Sequence, residues 1–475
     1  MTPFRNETPA KFEEKAATLE EAARAVQRAR QGARAWAETS AADRSSLLLR
    51  AAEILRRDRS HLTAWILLEV HKNWKEADAD VCEAIDFLEY YAREALRIAE
   101  EGLPMKPAGV AAVIAPWNFP LAILAGMTSA ALVTGNAVLM KPAEQSPVIA
   151  QRLFEILGQA GCPEGVLHFL PGPGETVGDL LVRSPEVDLV CFTGSKEVGM
   201  RIAGLKRRVL AEMGGKNAIV VDETADLERA VEGTILSAFG FQGQKCSACS
   251  RAIVLPKVYD EFRERLVEAA KKIRVGDPKE PANFMGPVID GEAEAKIRRY
   301  IEIGKTEGKL LFQGESPGEP RCIPPTIFEA VPSSARVARE EIFGPVVCLM
   351  RAKDLTEAIR IANGVPYDLT GGLFSRDPEA IRRARRDFEV GNLYINRKIT
   401  GALVACQPFG GYRVSSLGFK AGGPEYLYQF LESPKMPEPP ARRELPSVAP
   451  DERNELVYIK EGPRLLGKTI CEKLI

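Results

Sequence analysis

The 475 residues allow two or three domains, and 45% hydrophobic with 27% charged residues is the make-up of an ordinary globular protein. A formal net charge of −1 leaves no electrostatic case for nucleic acid or an anionic membrane as partner. No apolar run reaches the roughly 18 residues of a membrane span, Met1–Asn6 opens no signal core, and nine scattered cysteines suit reduced thiols in a cytoplasm better than a disulfide framework.

Residues 11–99 read as almost entirely helical. Val81, Ile85, Leu88, Ala92 and Leu96 recur at helical spacing as one apolar stripe, opposite the charged Glu83, Asp86, Glu89 and Arg93. From Val110 the pattern changes to strands at 110–115, 137–141, 166–170 and 187–192, with helices at 121–133, 148–160 and around 177–182. Apolar strands separated by helices predict a parallel sheet covered on both faces, with ligands at the carboxyl ends of its strands. Those ends carry Pro116-Trp117-Asn118-Phe119-Pro120, Lys141-Pro142-Ala143-Glu144 and Phe192-Thr193-Gly194-Ser195. Gly194 to Gly199 resembles a phosphate-approach turn entering a helix, whereas Gly172-x-Gly174-x-x-x-Gly178 misses the dinucleotide fingerprint in its last spacing. A second α/β unit begins after Gly215, with strands at 218–221 and 252–255 and helices at 227–239 and 259–273. Prolines crowd 434–450, an extended linker, and 456–475 is too short to form a core alone.

One stretch concentrates reactive chemistry. Phe241-Gln-Gly-Gln-Lys-Cys246-Ser-Ala-Cys-Ser-Arg251 puts Cys246 in a polar turn between Lys245 and Arg251, cations expected to lower its pKa and populate the thiolate. Glu212, at a strand end before two glycines, supplies a carboxylate base, and a nucleophile with a base suffices for covalent catalysis. The remaining cysteines lie mostly in apolar runs and read as packing residues. Cys246 and Cys249 lack a second pair and a close histidine, so no metal site is expected. His61, His71 and His168 stand outside any GxSxG or HExxH pattern, which argues against a Ser-His hydrolase.

The motifs PWNFP, KPAE, FTGS, EMGGK, FQGQKCSACSR, EEIFGPV and QPFGG, collinear from 116 to 411, resemble the aldehyde dehydrogenase superfamily. The closest resemblance is to the branch that oxidises L-glutamate γ-semialdehyde, formed from 1-pyrroline-5-carboxylate, to glutamate in proline degradation. It implies an α/β fold with a Rossmann-type NAD-binding domain, an α/β catalytic domain and a reduced oligomerisation flap. By the same resemblance Cys246 attacks the aldehyde to give a thiohemiacetal, while the Asn118 amide and the Cys246 N–H hold the oxyanion. Hydride then passes to NAD, and Glu212 activates the water that hydrolyses the thioester. Trp117, Lys141, Glu144, Gly194, Ser195, Glu341 and Phe343 are the implied cofactor contacts. Lys141 and Glu144 would hold the adenosine ribose, where a carboxylate disfavours the 2′-phosphate of NADP. Glu341 and Phe343 would meet the nicotinamide end. Ser247 and the backbone amides of Gly401 and Ala402 are implied to hold the substrate α-carboxylate, with added charge from Lys245 or Arg397.

The implied domains are 1–102 and 111–213 for NAD, 214–418 for catalysis, 103–110 and 419–433 for the shortened flap, and 434–475 for linker and tail. The chain departs from the family in lacking strands before the first helices, in its short flap, in a trimmed connection between Ser195 and Glu212, and in its tail. The short flap leaves a homodimer open. Another small aldehyde as substrate, a truncated family member acting as a scaffold, and a piece of a bifunctional proline-catabolic enzyme are the alternatives.

Overall fold

A computed structural model describes residues 16–102, 106–205 and 208–432 and the backbone of 456–459. The chain divides into two compact units, Met1–Ala211 with Ala421–Met436, and Glu212–Lys420 with Pro437–Ile475.

The first unit opens with four helices, α1 (Leu19–Glu38), α2 (Ala41–Arg57), α3 (Arg59–Val70) and α4 (Trp74–Glu100). Thr18 and Glu21 form a capping box on α1, and the Ser40 and Asn73 side chains each accept a first-turn N–H of α2 and α4. Val81, Ile85, Leu88 and Ala92 are buried along one stripe of α4, continued by Ala95 and Ile98, while Leu96 is half-buried. A parallel sheet follows, built from β1 (Val110–Ile114), β2 (Ala137–Lys141), β3 (Leu167–Phe169), β4 (Leu189–Thr193) and β5 (Val209–Glu212) in the order β5-β4-β1-β2-β3. Its crossovers include α5 (Ala122–Val133), α6 (Pro147–Gln159), α7 (Asp179–Arg183) and α8 (Lys196–Ala203). α5 is apolar all round and buried throughout save Ile123, as a helix without a polar face must be. Strand order runs outward in both directions from β1, the switch point where such sheets bind ligands. The helix expected around 177–182 is present as α7, entered through a π-helical turn, Gly174–Gly178. Its entry is held by the Gly174 N–H, which donates to Glu144 Oε1 at 2.7 Å.

In the second unit the elements are β6 (Asn217–Val221), α9 (Leu227–Phe239), β7 (Cys249–Val254), α10 (Pro256–Ala270), α11 (Gly291–Glu307), β8 (Lys309–Gln313), β9 (Thr326–Glu329), α12 (Arg336–Arg339), β10 (Val346–Arg351), α13 (Leu355–Asn363), β11 (Thr370–Phe374), α14 (Pro378–Asp387) and β12 (Asn392–Ile395). The strands order as β12-β11-β6-β7-β10-β9-β8, parallel except for β8. Successive residues of β6 enter opposite cores: Ala218 and Val220 pack on one face, Ile219 and Val221 on the other. Two buried faces explain why these strands read as continuous apolar runs.

Leu456–Ile459 pairs antiparallel with β12 and closes that edge of the sheet, so part of the short terminal segment joins the body. The expected Pro-rich linker and tail at 434–475, apart from 456–459, lie outside the described residues, as do 1–15, 103–105, 206–207 and 433. Of the segments expected to form a flap, Pro107 bridges Leu431 and the Ala108 N–H donates to the Phe430 carbonyl at 3.1 Å. Among the described residues no helix is long and apolar enough to cross a membrane.

Candidate active site

In the second unit α9 ends in a sharp reversal. Phe241 and Gln242 take left-handed conformations at φ 50° and 56°, and Gly243 follows at φ 69°. The chain then passes through Cys246 into β7. Asn217, the first residue of β6, pins the turn: its Nδ2 donates to the carbonyls of Cys246 at 2.7 Å and Ala248 at 2.9 Å, and its Oδ1 accepts the Thr370 N–H at 3.0 Å. Gly214 and Gly215 run close by. A Cβ on Gly215 would stand 2.4 Å from the Cys246 carbonyl oxygen, and one on Gly214 would stand 2.2 Å from Glu341 Oε2. The Gly215 N–H donates to Glu341 Oε1 at 2.8 Å. Two glycines are what let the Cys246 backbone and a carboxylate crowd one strand exit. Gly215→Ala should therefore displace Cys246 and cost about 10²-fold in turnover, with circular dichroism showing that the variant still folds.

Electrostatics at the site overturn one expectation. Burial pushes the Cys246 thiol well above its ordinary value, and the Glu341 and Glu212 carboxylates add to the rise. Arg251 cannot lower it because its guanidinium faces inward. Nε donates to the Lys216 carbonyl at 3.0 Å, and Nη1 and Nη2 donate to the Ile361 and Ala362 carbonyls at 2.9 Å. Burial also pushes Glu212 up to about 8, with Asp368 acting in the same sense and the Ser416 hydroxyl and Lys420 opposing. Burial thus favours the protonated form of both the Cys246 thiol and the Glu212 carboxyl. A small cavity of about 20 Å³, lined in part by Lys216, Lys245, Cys249 and Glu341, lies behind the turn. It has room for about one water.

The implied cofactor contacts of the first unit cluster at its switch point. Lys141 ends β2 with its ammonium buried, donating to the Pro142 carbonyl at 3.0 Å and Glu144 Oε1 at 2.9 Å. That carboxylate also receives the Gly174 N–H, so KPAE and the π-helical turn form one polar edge. Beside it Ile114, Gly174, Gly178, Val182, Phe192, Val198, Ile202 and Leu205 line a cleft of about 80 Å³, with Glu175, Asp179 and Arg201 as its charged lining. Its aliphatic walls and aromatic ring suit a flat heteroaromatic base, and the bare edges of Gly174 and Gly178 leave space for it. Ser195 caps α8 by accepting the Val198 N–H at 3.3 Å, and a Cβ on Gly194 would strike the Phe192 ring at 2.5 Å. Trp117 is half-buried and Asn118 buried in the turn after β1. The buried Lys72–Asp80 pair (2.6 Å) steadies this turn: Asp80 accepts the Ala122 N–H at 2.7 Å, and Lys72 lies 3.9 Å from the Phe119 ring centre. The residues present fit an adenine dinucleotide.

Of the residues implied for substrate, Ser247 is buried next to Cys246, its carbonyl accepting the Thr370 hydroxyl at 3.3 Å. Gly401 (φ 75°) is exposed and Ala402 half-buried, in the loop after β12 where Leu403 is 54% exposed. Arg397 lies over the Tyr394 ring, 5.5 Å from its centre. Phe343 adopts φ 61° directly after Glu341 and Ile342. Among the described residues no group of His, Cys, Asp and Glu is placed to hold a metal. Sequence reasoning missed Asn217, Asp368, Ser416 and Lys420. Only Asn217 carried a signal, as the residue that follows Glu212-Met-Gly-Gly-Lys216.

The profile of the aldehyde dehydrogenase family matches residues 1–435. A 1-pyrroline-5-carboxylate dehydrogenase from Geobacillus thermodenitrificans is 49% identical over 445 residues, spanning 89% of this chain and 86% of the relative. The crystal structure of a Thermus 1-pyrroline-5-carboxylate dehydrogenase with bound NAD superposes with a TM-score of 0.86 at 47% identity, covering 88% of this chain and 85% of that one. Proline utilization A from Bdellovibrio bacteriovorus gives the same score at 50% identity over 88% of this chain, which spans 46% of that longer protein.

Proposed function

The chain belongs to the aldehyde dehydrogenase family, and we infer that it is an NAD-dependent enzyme that oxidises L-glutamate γ-semialdehyde to L-glutamate. The observation that carries this reading is the Cys246 turn, pinned by Asn217 over Gly215 with Glu341 alongside, in a chain 49% identical to a 1-pyrroline-5-carboxylate dehydrogenase. Cys246 sulfur, once deprotonated, bonds to the aldehyde carbon. Its own N–H and the Asn118 amide are the assigned donors to the resulting oxyanion, an effect worth about 10²–10³ per donor in rate. NAD, when bound, supplies the acceptor for the hydride that leaves that carbon. Glu212 then takes a proton from water as the water oxygen bonds to the thioester carbon, and Cys246 sulfur leaves with the C–S electron pair.

Lys141 and Glu144 are assigned to the adenosine ribose, Trp117, Gly194 and Ser195 to the remainder of the dinucleotide, and Glu341 and Phe343 to its nicotinamide end. A Glu144 carboxylate already engaged by Lys141 and Gly174 would repel a 2′-phosphate, which favours NAD over NADP. Ser247, Gly401 and Ala402 are assigned to the α-carboxylate. The proposal extends to a cytoplasmic setting, and a homodimer is the assembly to test by sedimentation. NADH formation with glutamate semialdehyde, beside succinate semialdehyde and propanal, decides the substrate. Preference for the first supports the reading. Equal rates on all three retain the chemistry and remove the substrate, and no activity in a folded protein removes both.

A further inference from the structure

Glu212 is held from one side by the Gly410–Ser416 loop, and that loop is tied in turn to a second buried carboxylate, Asp368, which the reaction does not use. The Ser416 hydroxyl donates to Glu212 Oε2 while its oxygen accepts the Gly411 N–H at 2.7 Å. One residue on, the Tyr412 N–H donates to Asp368 Oδ1 at 2.9 Å. The Asp368 N–H donates to Ser415 Oγ at 3.1 Å, and that hydroxyl donates in turn to the Gly214 carbonyl at 3.0 Å. Gly410 and Gly411 face the two acids: added Cβ atoms would stand 3.0 Å from Glu212 Oε1 and 2.8 Å from Asp368 Oδ1. Lys420 closes the loop, its ammonium donating to the carbonyls of Gly391 at 2.6 Å and Gly410 at 2.8 Å. The Asp368 side chain is fully buried, and its Oδ2 has no hydrogen-bond donor, only the Arg413 guanidinium at 3.5 Å. Arg413 is itself shared with Glu389.

We propose that Ser416 and Asp368 are positioning residues for Glu212, Ser416 by donating its hydroxyl to Glu212 Oε2 and Asp368 by anchoring, at Tyr412 and Ser415, the Gly410–Ser416 loop that presents that hydroxyl. The proposal rests on Glu212 being the base for thioester hydrolysis. Ser416 hydrogen-bonds Glu212, and the charges that reach it are those of Lys420, Asp368 and Cys246. Those that face Asp368 are Arg413, Lys420, Ser415 and Tyr412. Burial also pushes Asp368 up, to about 7, so its charge changes across the range in which Glu212 ionises. A neutral Asp368 at lower pH leaves Glu212 free to ionise, and an ionised one resists it. A hydroxyl lost at 416 removes a donor that only the carboxylate form uses fully.

The test is the pH profile of steady-state turnover, normalised to the first-turnover NADH burst, for wild type, Ser416→Ala, Ser416→Thr, Asp368→Asn and Glu212→Gln. Ser416→Ala should move the midpoint of the ascending limb upward and Asp368→Asn should move it downward, each by roughly one pH unit. Ser416→Thr, which keeps the hydroxyl, should restore the wild-type midpoint. Coincident midpoints in the alanine and asparagine variants would overturn the proposal. Asp368→Asn retains the Oδ1 acceptor for Tyr412, and if it fails to fold the Ser416 pair decides alone. Wild-type hydrolysis by Glu212→Gln would instead sink the base assignment, a separate outcome.

Discussion

Cys246→Ala is expected to lower NADH formation from glutamate semialdehyde by at least about 10⁴-fold, since no other group on the turn replaces a covalent nucleophile. Cys249, three residues on, is buried, its thiol pushed up to about 12 and directed at the Arg251 carbonyl. The same electrostatics set how Cys246 answers to alkylation. A thiol raised by burial, Glu341 and Glu212 carries less thiolate at pH 7 than a free cysteine, so iodoacetamide should inactivate slowly at pH 7 and keep accelerating beyond pH 9. Removing a neighbouring charge, by Glu341→Gln at any of these pH values or by Glu212→Gln above about pH 8 where that carboxyl is ionised, should speed inactivation at fixed pH. Rapid inactivation at pH 6 would show that some cation reaches Cys246 after all, and slower reaction in both glutamine variants would contradict the charge argument.

How much of this was legible in the sequence depends on where each signal resides. Strand 137–141 and helix 227–239 are read to the residue because a strand buried on both faces must be apolar, and a helix packed on a sheet keeps a 3.6-residue stripe. Cys246, Glu212 and Glu341 announce themselves through the glycines beside them, because close backbone approach tolerates no Cβ. Direction is another matter. Arg251 looked like an activating cation from its position, yet its partners are carbonyls at 216, 361 and 362, and a carbonyl acceptor leaves no mark in the sequence. Ser416 meets Glu212 across 204 residues, and Asp368 meets Tyr412 across 44. A serine or aspartate in a loop is ordinarily a turn residue, so nothing local separates these two from the rest. The strand at 456–459 is similarly silent: four residues of any moderately apolar segment can close an edge that tertiary structure offers.

Glu212→Gln is expected to split the reaction in two. The first turnover, through attack and hydride transfer, should still release a burst of NADH, while later turnovers slow by about 10²–10⁴-fold because a neutral amide cannot accept the proton of the attacking water. The same variant should also be more stable than wild type at high pH. Glu212 is raised to about 8 in the folded chain against an ordinary value of 4.5, so the folded state binds a proton that the unfolded state has released. The slope of stability with pH is then negative between those values. The carboxyl costs nothing below the unfolded pKa, and stability is lost progressively as pH rises toward and through 8. Glutamine has no proton to lose and escapes this, a gain on the order of a few kcal/mol at most, reduced where water reaches the carboxyl. Thermal melts of both proteins at pH 5.5 and pH 9 read the effect directly. A gap that widens with pH means that the fold holds Glu212 as an acid until substrate chemistry calls for the base. An equal gap at both values would mean that the carboxylate is already ionised at rest, and the burst would then be followed by hydrolysis whose rate no longer climbs above neutrality.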